Sequence, residues 1–167
     1  MHRIESLLSA RLFLAPQVVG ERIYFVSNLS GKLSLYAMGL GGGVPEPLLP
    51  PDVALHNPHL VGGEAYRVFP GLSRIVVMLD HEGDEHYQPM VLPIEGGYPE
   101  PAFGDQFEDQ RVHLAECDAD RGLVYLSAES RTEERNTAWQ ADLATGETRL
   151  LRVSQWGSYV AGVSDAH

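Results

Sequence analysis

Ile75-Val76-Val77-Met78-Leu79 is followed by the polar turn Asp80-His81-Glu82-Gly83-Asp84-Glu85, a strand-like segment over 87–94, the glycine turn Gly96-Gly97 and the tripeptide Pro99-Glu100-Pro101. This order decides the fold, because it occurs three times. Upstream, Ile23-Tyr24-Phe25-Val26 leads through Ser27-Asn28-Leu29-Ser30-Gly31 into 33–38, then Gly41-Gly42-Gly43 and Pro45-Glu46-Pro47. Downstream, Leu123-Val124-Tyr125-Leu126 leads through the polar stretch 127–136 into 137–143, then Thr145-Gly146 and the strand-like 148–153. The apolar runs begin 52 and then 48 residues apart, and the two Pro-Glu-Pro tripeptides stand 54 apart, so two independent landmarks agree on the period.

A period near fifty that holds several short strands joined by hairpin turns is the signature of β-propeller blades, each a four-stranded antiparallel sheet. The three runs are apolar at consecutive positions, which implies burial on both faces. Inner strands of propeller blades meet that condition, since each blade is sandwiched between its neighbours. The expected fold is therefore all-β: a partial β-propeller of about three four-stranded antiparallel blades, preceded by a short N-terminal helix over 2–10, where Ile4, Leu7 and Leu8 share one side. Blade one is placed at about 11–53, blade two at 54–105 and blade three at 106–153, with 154–167 as the start of a further strand around Gly157-Ser158-Tyr159-Val160. A β-sandwich whose hairpins resemble one another by chance is the competing architecture.

Composition narrows the function classes. A chain of 167 residues is one domain or a large piece of a bigger molecule. With 44% apolar residues, and 17 Gly and 11 Pro spread through it, it is a turn-rich globular chain, neither disordered nor collagenous. A formal charge of -11 repels phosphate backbones and anionic lipid surfaces, so no nucleic acid and no membrane is expected as partner. The lone Cys117 allows no intramolecular disulfide, which fits a reducing, cytoplasmic location. The apolar stretch 7–19 is interrupted by Arg11, Pro16 and Gln17, which suits neither a signal peptide nor a membrane span.

From Ser9-Ala10-Arg11-Leu12-Phe13-Leu14-Ala15-Pro16-Gln17 through Arg22-Ile23-Tyr24-Phe25-Val26-Ser27, the order of elements resembles the start of the N-terminal propeller in the prolyl oligopeptidase family of serine peptidases. The acylaminoacyl-peptidase and dipeptidyl-aminopeptidase branch is the most similar part of that family, and Asp80 to Gln88 is similar to its acidic hairpin followed by an aromatic strand. The resemblance spans nearly the whole chain, although TolB-type propellers share its strand-turn-strand wording. It implies a non-catalytic propeller that gates the access of short peptides to a C-terminal α/β-hydrolase domain. The family's Ser, Asp and His triad has its serine on a G-x-S-x-G elbow. The nearest string, Gly71-Leu72-Ser73-Arg74-Ile75, lacks the closing glycine and leads into a strand. No catalytic residue is therefore assigned, substrate-binding residues stay unassigned, and no metal or cofactor is expected.

Several constellations are candidates for chemistry. Some branches of the family hold a pair of glutamates for the substrate's free amine, which invites comparison with Glu133-Glu134; flanked by Arg131 and Arg135, that pair reads as a solvated hairpin. Asp80, Glu82 and Asp84 alternate as in calcium loops, but the glycine falls at the fourth place, not the sixth. His56, His59, His81 and His86 show no ligand spacing, and Asn57-Pro58 favours a turn. Cys117 stands among Glu116, Asp118 and Asp120, whose charge disfavours a thiolate. Trp139 is expected between blades, and Trp156 at either a channel rim or the surface. Alternatives from other classes are a stand-alone TolB-like scaffold for protein interaction and a carbohydrate-binding β-domain. As an isolated unit the three blades are expected to associate as a homo-oligomer, two arcs closing a six-bladed ring.

Overall fold

A computed structural model describes residues 11–59, 62–80 and 86–160. Three antiparallel sheets follow one another along the chain. The first holds β1 (Phe13–Val19), β2 (Arg22–Ser27), β3 (Ser34–Gly39) and β4 (Glu46–Pro47). The second holds β5 (Tyr66–Phe69), β6 (Arg74–Leu79), β7 (Gln88–Pro93) and β8 (Glu100–Pro101). The third holds β9 (Gln110–Asp118), β10 (Leu123–Ser130), β11 (Asn136–Asp142) and β12 (Thr148–Ser154). Each is a meander in which strands pair in chain order. This is the blade of a propeller, and three blades stack side by side.

The stacking explains the apolar runs. Successive side chains of a strand point to opposite faces. In β6, Ile75 and Val77 enter a core shared with the first sheet, whereas Val76 and Met78 enter a second core shared with the third. All four are at most 1% exposed. In the first core Tyr24, Val26, Leu35 and Ala37 meet Tyr66, Val68 and Leu92; in the second, Phe69 and Tyr87 meet Val112, Leu114, Leu126 and Ala141. The three apolar runs are β2, β6 and β10, the second strand of each sheet. The expectation that they are the inner strands is corrected accordingly. A second strand has a paired neighbour on each side as well as packing above and below, which makes it the most enclosed position in a blade.

The first strands carry side-chain ties between sheets. In β1 a bulge between Leu14 and Gln17 puts Ala15 at φ 47, and the Tyr66 hydroxyl of β5 lies within hydrogen-bonding distance of the carbonyls of Ala15 (2.5 Å) and Tyr24 (2.8 Å). Gln17 completes the tie: its Nε2 donates to the Tyr66 carbonyl at 2.9 Å, and its Oε1 accepts from the Val68 amide at 3.2 Å. Between the second and third sheets the Glu64 amide donates to the Leu114 carbonyl at 2.7 Å. Gly63 makes that approach possible, because at φ 102 a Cβ would stand 2.2 Å from the Leu114 oxygen.

The repeated Pro-Glu-Pro tripeptides supply β4 and β8, where Ala37 pairs with Glu46 and Val91 with Glu100. Proline on these short outer strands removes a free N–H from the blade edge and discourages pairing with other chains. Two expectations concern the chain's ends. The helix placed over 2–10 lies outside the described residues; among them the helical element is the 3-10 turn Pro70–Leu72. The further strand expected from Gly157 is corrected for 157–160, which are irregular, and its remainder lies outside the described residues. No helix among the described residues is long and apolar enough to cross a membrane.

Candidate functional site

In a four-stranded meander, the hairpin between the second and third strands and the connection to the next sheet emerge at the same end. Here that end gathers 28–33, 48–59, 62–65, 102–109, 131–135 and 155–160, together with Asp80, His86 and Tyr87. Every described histidine except His113 belongs to these loops, and His113 is one turn of pleat inside, on β9. His56 Nε2 lies 2.8 Å from Asp80 Oδ2, and its ring stands edge-on to Tyr87 with centroids 5.3 Å apart. The Arg111 guanidinium covers Tyr87 at 5.8 Å. An acid, an imidazole, an aromatic ring and a cation thus run from the second sheet into the third.

The most developed polar site lies on the face of the third sheet turned away from the second. The register pairs Arg111 with Glu129 and His113 with Ser127. Their neighbours Val112, Leu114, Leu126 and Ala128 fill the second core, so strand alternation sends these four polar residues together to the opposite face. They line a recess of 490 Å³ with Gly62 and Tyr159 at its margin. The opposed Arg111 and Glu129 do not pair with each other. Arg111 rests on Tyr87, and Glu129 Oε1 stands 3.9 Å from His113 Nε2. Arg111 Nε and Ser127 Oγ are enclosed and have no hydrogen-bond partner.

His113 sits tightly here, since a Cβ on Gly62 would stand 3.0 Å from its Nδ1. Burial holds its pKa below the ordinary 6.5 and Arg111 adds to the effect, while Glu129 and the Gly62 backbone oppose it. The ring is neutral near pH 7. Below this block Arg67 pairs with Glu64, and Cys117 lies against both. Burial pushes the Cys117 thiol far up, Glu64 pushes the same way, and Arg67 only partly opposes them. Desolvation therefore outweighs the neighbouring Glu116 in disfavouring the thiolate.

The residues weighed from sequence fall elsewhere. Glu133 and Glu134 are exposed in the β10–β11 hairpin. Glu133 borders a smaller recess of 340 Å³ with Asp109, Arg135 and Trp139, and its amide donates to Ser130 Oγ at 3.2 Å. His59 is exposed, and its amide closes an Asn57 turn at 3.0 Å. Residues 81–85 lie outside the described residues. No group of three His, Cys, Asp or Glu among the described residues is placed to hold a metal. Ser73 has φ 52 and caps the 3-10 turn before β6. Trp139 stacks edge-on against Phe107 at 5.6 Å and packs on the core between sheets two and three, whereas Trp156 is 94% exposed. Sequence reasoning missed Arg111, His113, Ser127 and Glu129. Alternation in Arg111-Val112-His113-Leu114 and Ser127-Ala128-Glu129 was the available signal; the register that joins the two strands was not.

The architecture is that of propeller blades with polar residues gathered at one loop end. Solved structures of similar shape agree. The chain superposes on a Mycobacterium tuberculosis puromycin-hydrolyzing peptidase with a TM-score of 0.64 at 22% identity, covering 85% of this chain and 20% of that one. A TolB protein from Agrobacterium tumefaciens gives 0.59 at 18% identity over 85% of this chain and 46% of its own. A nidogen/laminin complex gives 0.54 at 14% identity over 86% and 49%. The chain thus spans a fifth of the peptidase and under half of the other two. At these identities the likeness establishes the fold. No protein-family model matches the sequence, and no curated protein matches it.

Proposed function

We propose that this chain is the non-catalytic propeller portion of a serine peptidase of the prolyl oligopeptidase family, gating the entry of short peptides to an α/β-hydrolase domain. The observation that carries it is the superposition of 85% of the chain on the puromycin-hydrolyzing peptidase. The sequence resemblance to that family's N-terminal propeller, noted above, points the same way. The gating chemistry is exclusion: rigid blades with polar loops at one end admit an extended oligopeptide and reject a folded domain.

The test has two arms. The chain alone is incubated with aminoacyl and acylaminoacyl nitroanilides and with a serine-reactive fluorophosphonate; neither product nor label is expected. The gene is then read beyond the codon for His167. A coding sequence several hundred residues longer, as in the peptidase of which this chain spans a fifth, and carrying a G-x-S-x-G elbow supports the proposal; stoichiometric labelling of a serine in this chain, or an immediate stop codon, overturns it. The second reading, a TolB-like interaction scaffold, draws on the TolB superposition and is favoured by that stop codon.

Association of the isolated chain belongs to the same proposal. The first sheet's outward face carries Phe13, 59% exposed, tilted against Phe25 at 5.4 Å, with Tyr36 stacked on Phe25 at 6.0 Å. Covering it with the third sheet of a second copy would close a six-bladed ring. Light scattering should give a dimer or larger species, and a compact monomer at micromolar concentration refutes the ring.

A further inference from the structure

We infer that the free edge of β12, the outer strand of the third sheet, pairs with an extended acidic segment of a partner protein, which adds a strand to this blade. The outer strands of the three sheets are unlike. β4 and β8 are two residues long and each reads Glu-Pro, whereas β12 runs for seven residues, Thr148–Ser154, without a proline. It therefore presents an unbroken row of backbone groups, since alternate N–H and C=O groups of an edge strand point away from its neighbour. On it Leu150, Leu151 and Val153 are 41, 43 and 49% exposed. Addition of a strand to such an edge is a recurrent mode of peptide recognition.

Blades stack face to face, and a following blade would leave this edge open. The second sheet shows it: sheets pack on both of its sides, yet Glu100 and Pro101 of its outer strand are exposed. Glu100 pairs with Val91, which packs on the core shared with the third sheet, so it is exposed on the very side where a blade follows. In β12, Leu150 pairs with Trp139 and Val153 with Thr137. Trp139 packs on the core between the second and third sheets, so Leu150 and Val153 stay exposed although the second sheet is in place on their side. Arg149 and Arg152 lie on the other side, opposite Gln140 and Ala138.

Charge selects the occupant. β12 holds two cations and no acid in a chain of net charge -11, and neither arginine meets a carboxylate among the described residues. Strand alternation then asks for apolar side chains beside Leu150 and Val153 and for carboxylates beside Arg149 and Arg152. A second copy fits less well. Two-fold pairing centred on Leu150-Leu151 sets Arg149 against Arg152 of the other copy, and like charges directly opposite are destabilising. The bulge at Leu151 twists the edge and discourages unselective pairing further. The inference does not rest on the gating proposal, because a peptidase propeller and a scaffold expose the same perimeter.

The experiment titrates the chain with an end-blocked peptide of alternating glutamate and valine, matched to β12 in length, followed by calorimetry and by amide shifts in NMR spectra. Saturable binding is expected, with the largest shifts in Thr148–Ser154 and slower hydrogen exchange there. The same peptide with lysine in place of glutamate should bind at least about tenfold more weakly. N-methylation at every glutamate or at every valine blocks opposite edges of the added strand, so these two peptides should differ in affinity by at least about tenfold. Arg149→Gln combined with Arg152→Gln should weaken the glutamate peptide by a similar factor and leave a threonine-valine peptide unchanged. No saturable binding up to about 1 mM, equal affinities for the glutamate and lysine peptides or for the two methylated ones, or shifts centred outside β12 overturn the inference. Concentration-dependent shifts of the β12 amides without peptide also overturn it, since they give the edge to a second copy. None of these outcomes bears on the labelling and gene-length tests of gating, so the two proposals fail separately.

Discussion

β6 and β10 occupy the same place in their sheets, yet their sequences obey different rules. Ile75-Val76-Val77-Met78 is apolar on both faces because a blade covers each side. In β10 only Val124, Leu126 and Ala128 face a core, while Tyr125, Ser127 and Glu129 face the other way. Tyr125 and Ser127 are nonetheless buried, at 6% and 3% exposure, so burial alone does not force an apolar side chain. Gln140, the cross-strand partner of Tyr125 on β11, donates its Nε2 to the Tyr125 hydroxyl at 3.0 Å, so that buried polar group is satisfied from within its own sheet.

The contrast is broken most sharply by charge. Val77→Asp would place an unpaired carboxylate in a core with no polar partner, and Phe25→Asp would do so within the aromatic stack of the first sheet. Each should destabilise the chain by about 4 kcal/mol or more and abolish a cooperative thermal transition. Circular dichroism on heating measures this, and a variant with an unchanged melting point would show that the strand is misplaced.

Within β10 the two faces should answer differently. Leu126→Ala leaves a cavity between the second and third sheets and should cost about 2–5 kcal/mol. Tyr125→Phe loses one hydrogen bond and should cost about 0.5–1.5 kcal/mol. Denaturant titration compares the two, and equal losses would mean that the outward face is packed as tightly as the core. Tyr66→Phe is placed between them, at about 1–3 kcal/mol, because it strips the Ala15 and Tyr24 carbonyls of their shared donor.

The open face also predicts a pH response. His113 has a folded-state pKa below its ordinary 6.5, so below that pH the unfolded chain binds more protons than the folded one. Its contribution to stability is complete above the ordinary value and is lost as pH falls through the depressed folded value. The melting temperature should therefore drop on acidification, and His113→Gln should flatten that dependence. An identical slope in the variant would assign the response to other groups. The smallest effect is expected at the exposed link between the first two sheets, where Arg22 reaches Glu46 at 2.9 Å and Glu95 at 2.5 Å. Glu46→Gln should shift stability by no more than about 1 kcal/mol, since solvent screens the pair.

Much of the blade plan was legible in the chain. The three apolar runs, the glycine turns and the paired Pro-Glu-Pro landmarks became second strands, hairpins and outer strands, since each depends on local periodicity and turn chemistry. The first strands were harder to read. β5 is only four residues long, and β1 carries Pro16 and a bulge, so neither shows a clean alternation. The polar site was read least well. Sequence reasoning went to acids and histidines that are neighbours in the chain, such as Glu133-Glu134 and His56-Asn57-Pro58-His59. The block that the structure assembles draws Arg111 and His113 from one strand and Ser127 and Glu129 from another.

By itself, the sequence determined that the chain is all-β, that it repeats near every fifty residues and that its strands pair as local hairpins, because short-range dihedral preferences and the two-residue period are written residue by residue. Tertiary structure alone decided which face of each strand meets a neighbouring sheet. It also decided that Gln17 and Tyr66 tie the first strands together, and that Arg111 and Glu129 stand opposed but unpaired beside enclosed, unpartnered donors. Register and sheet stacking join residues far apart in the chain, and no local pattern in either partner specifies the other.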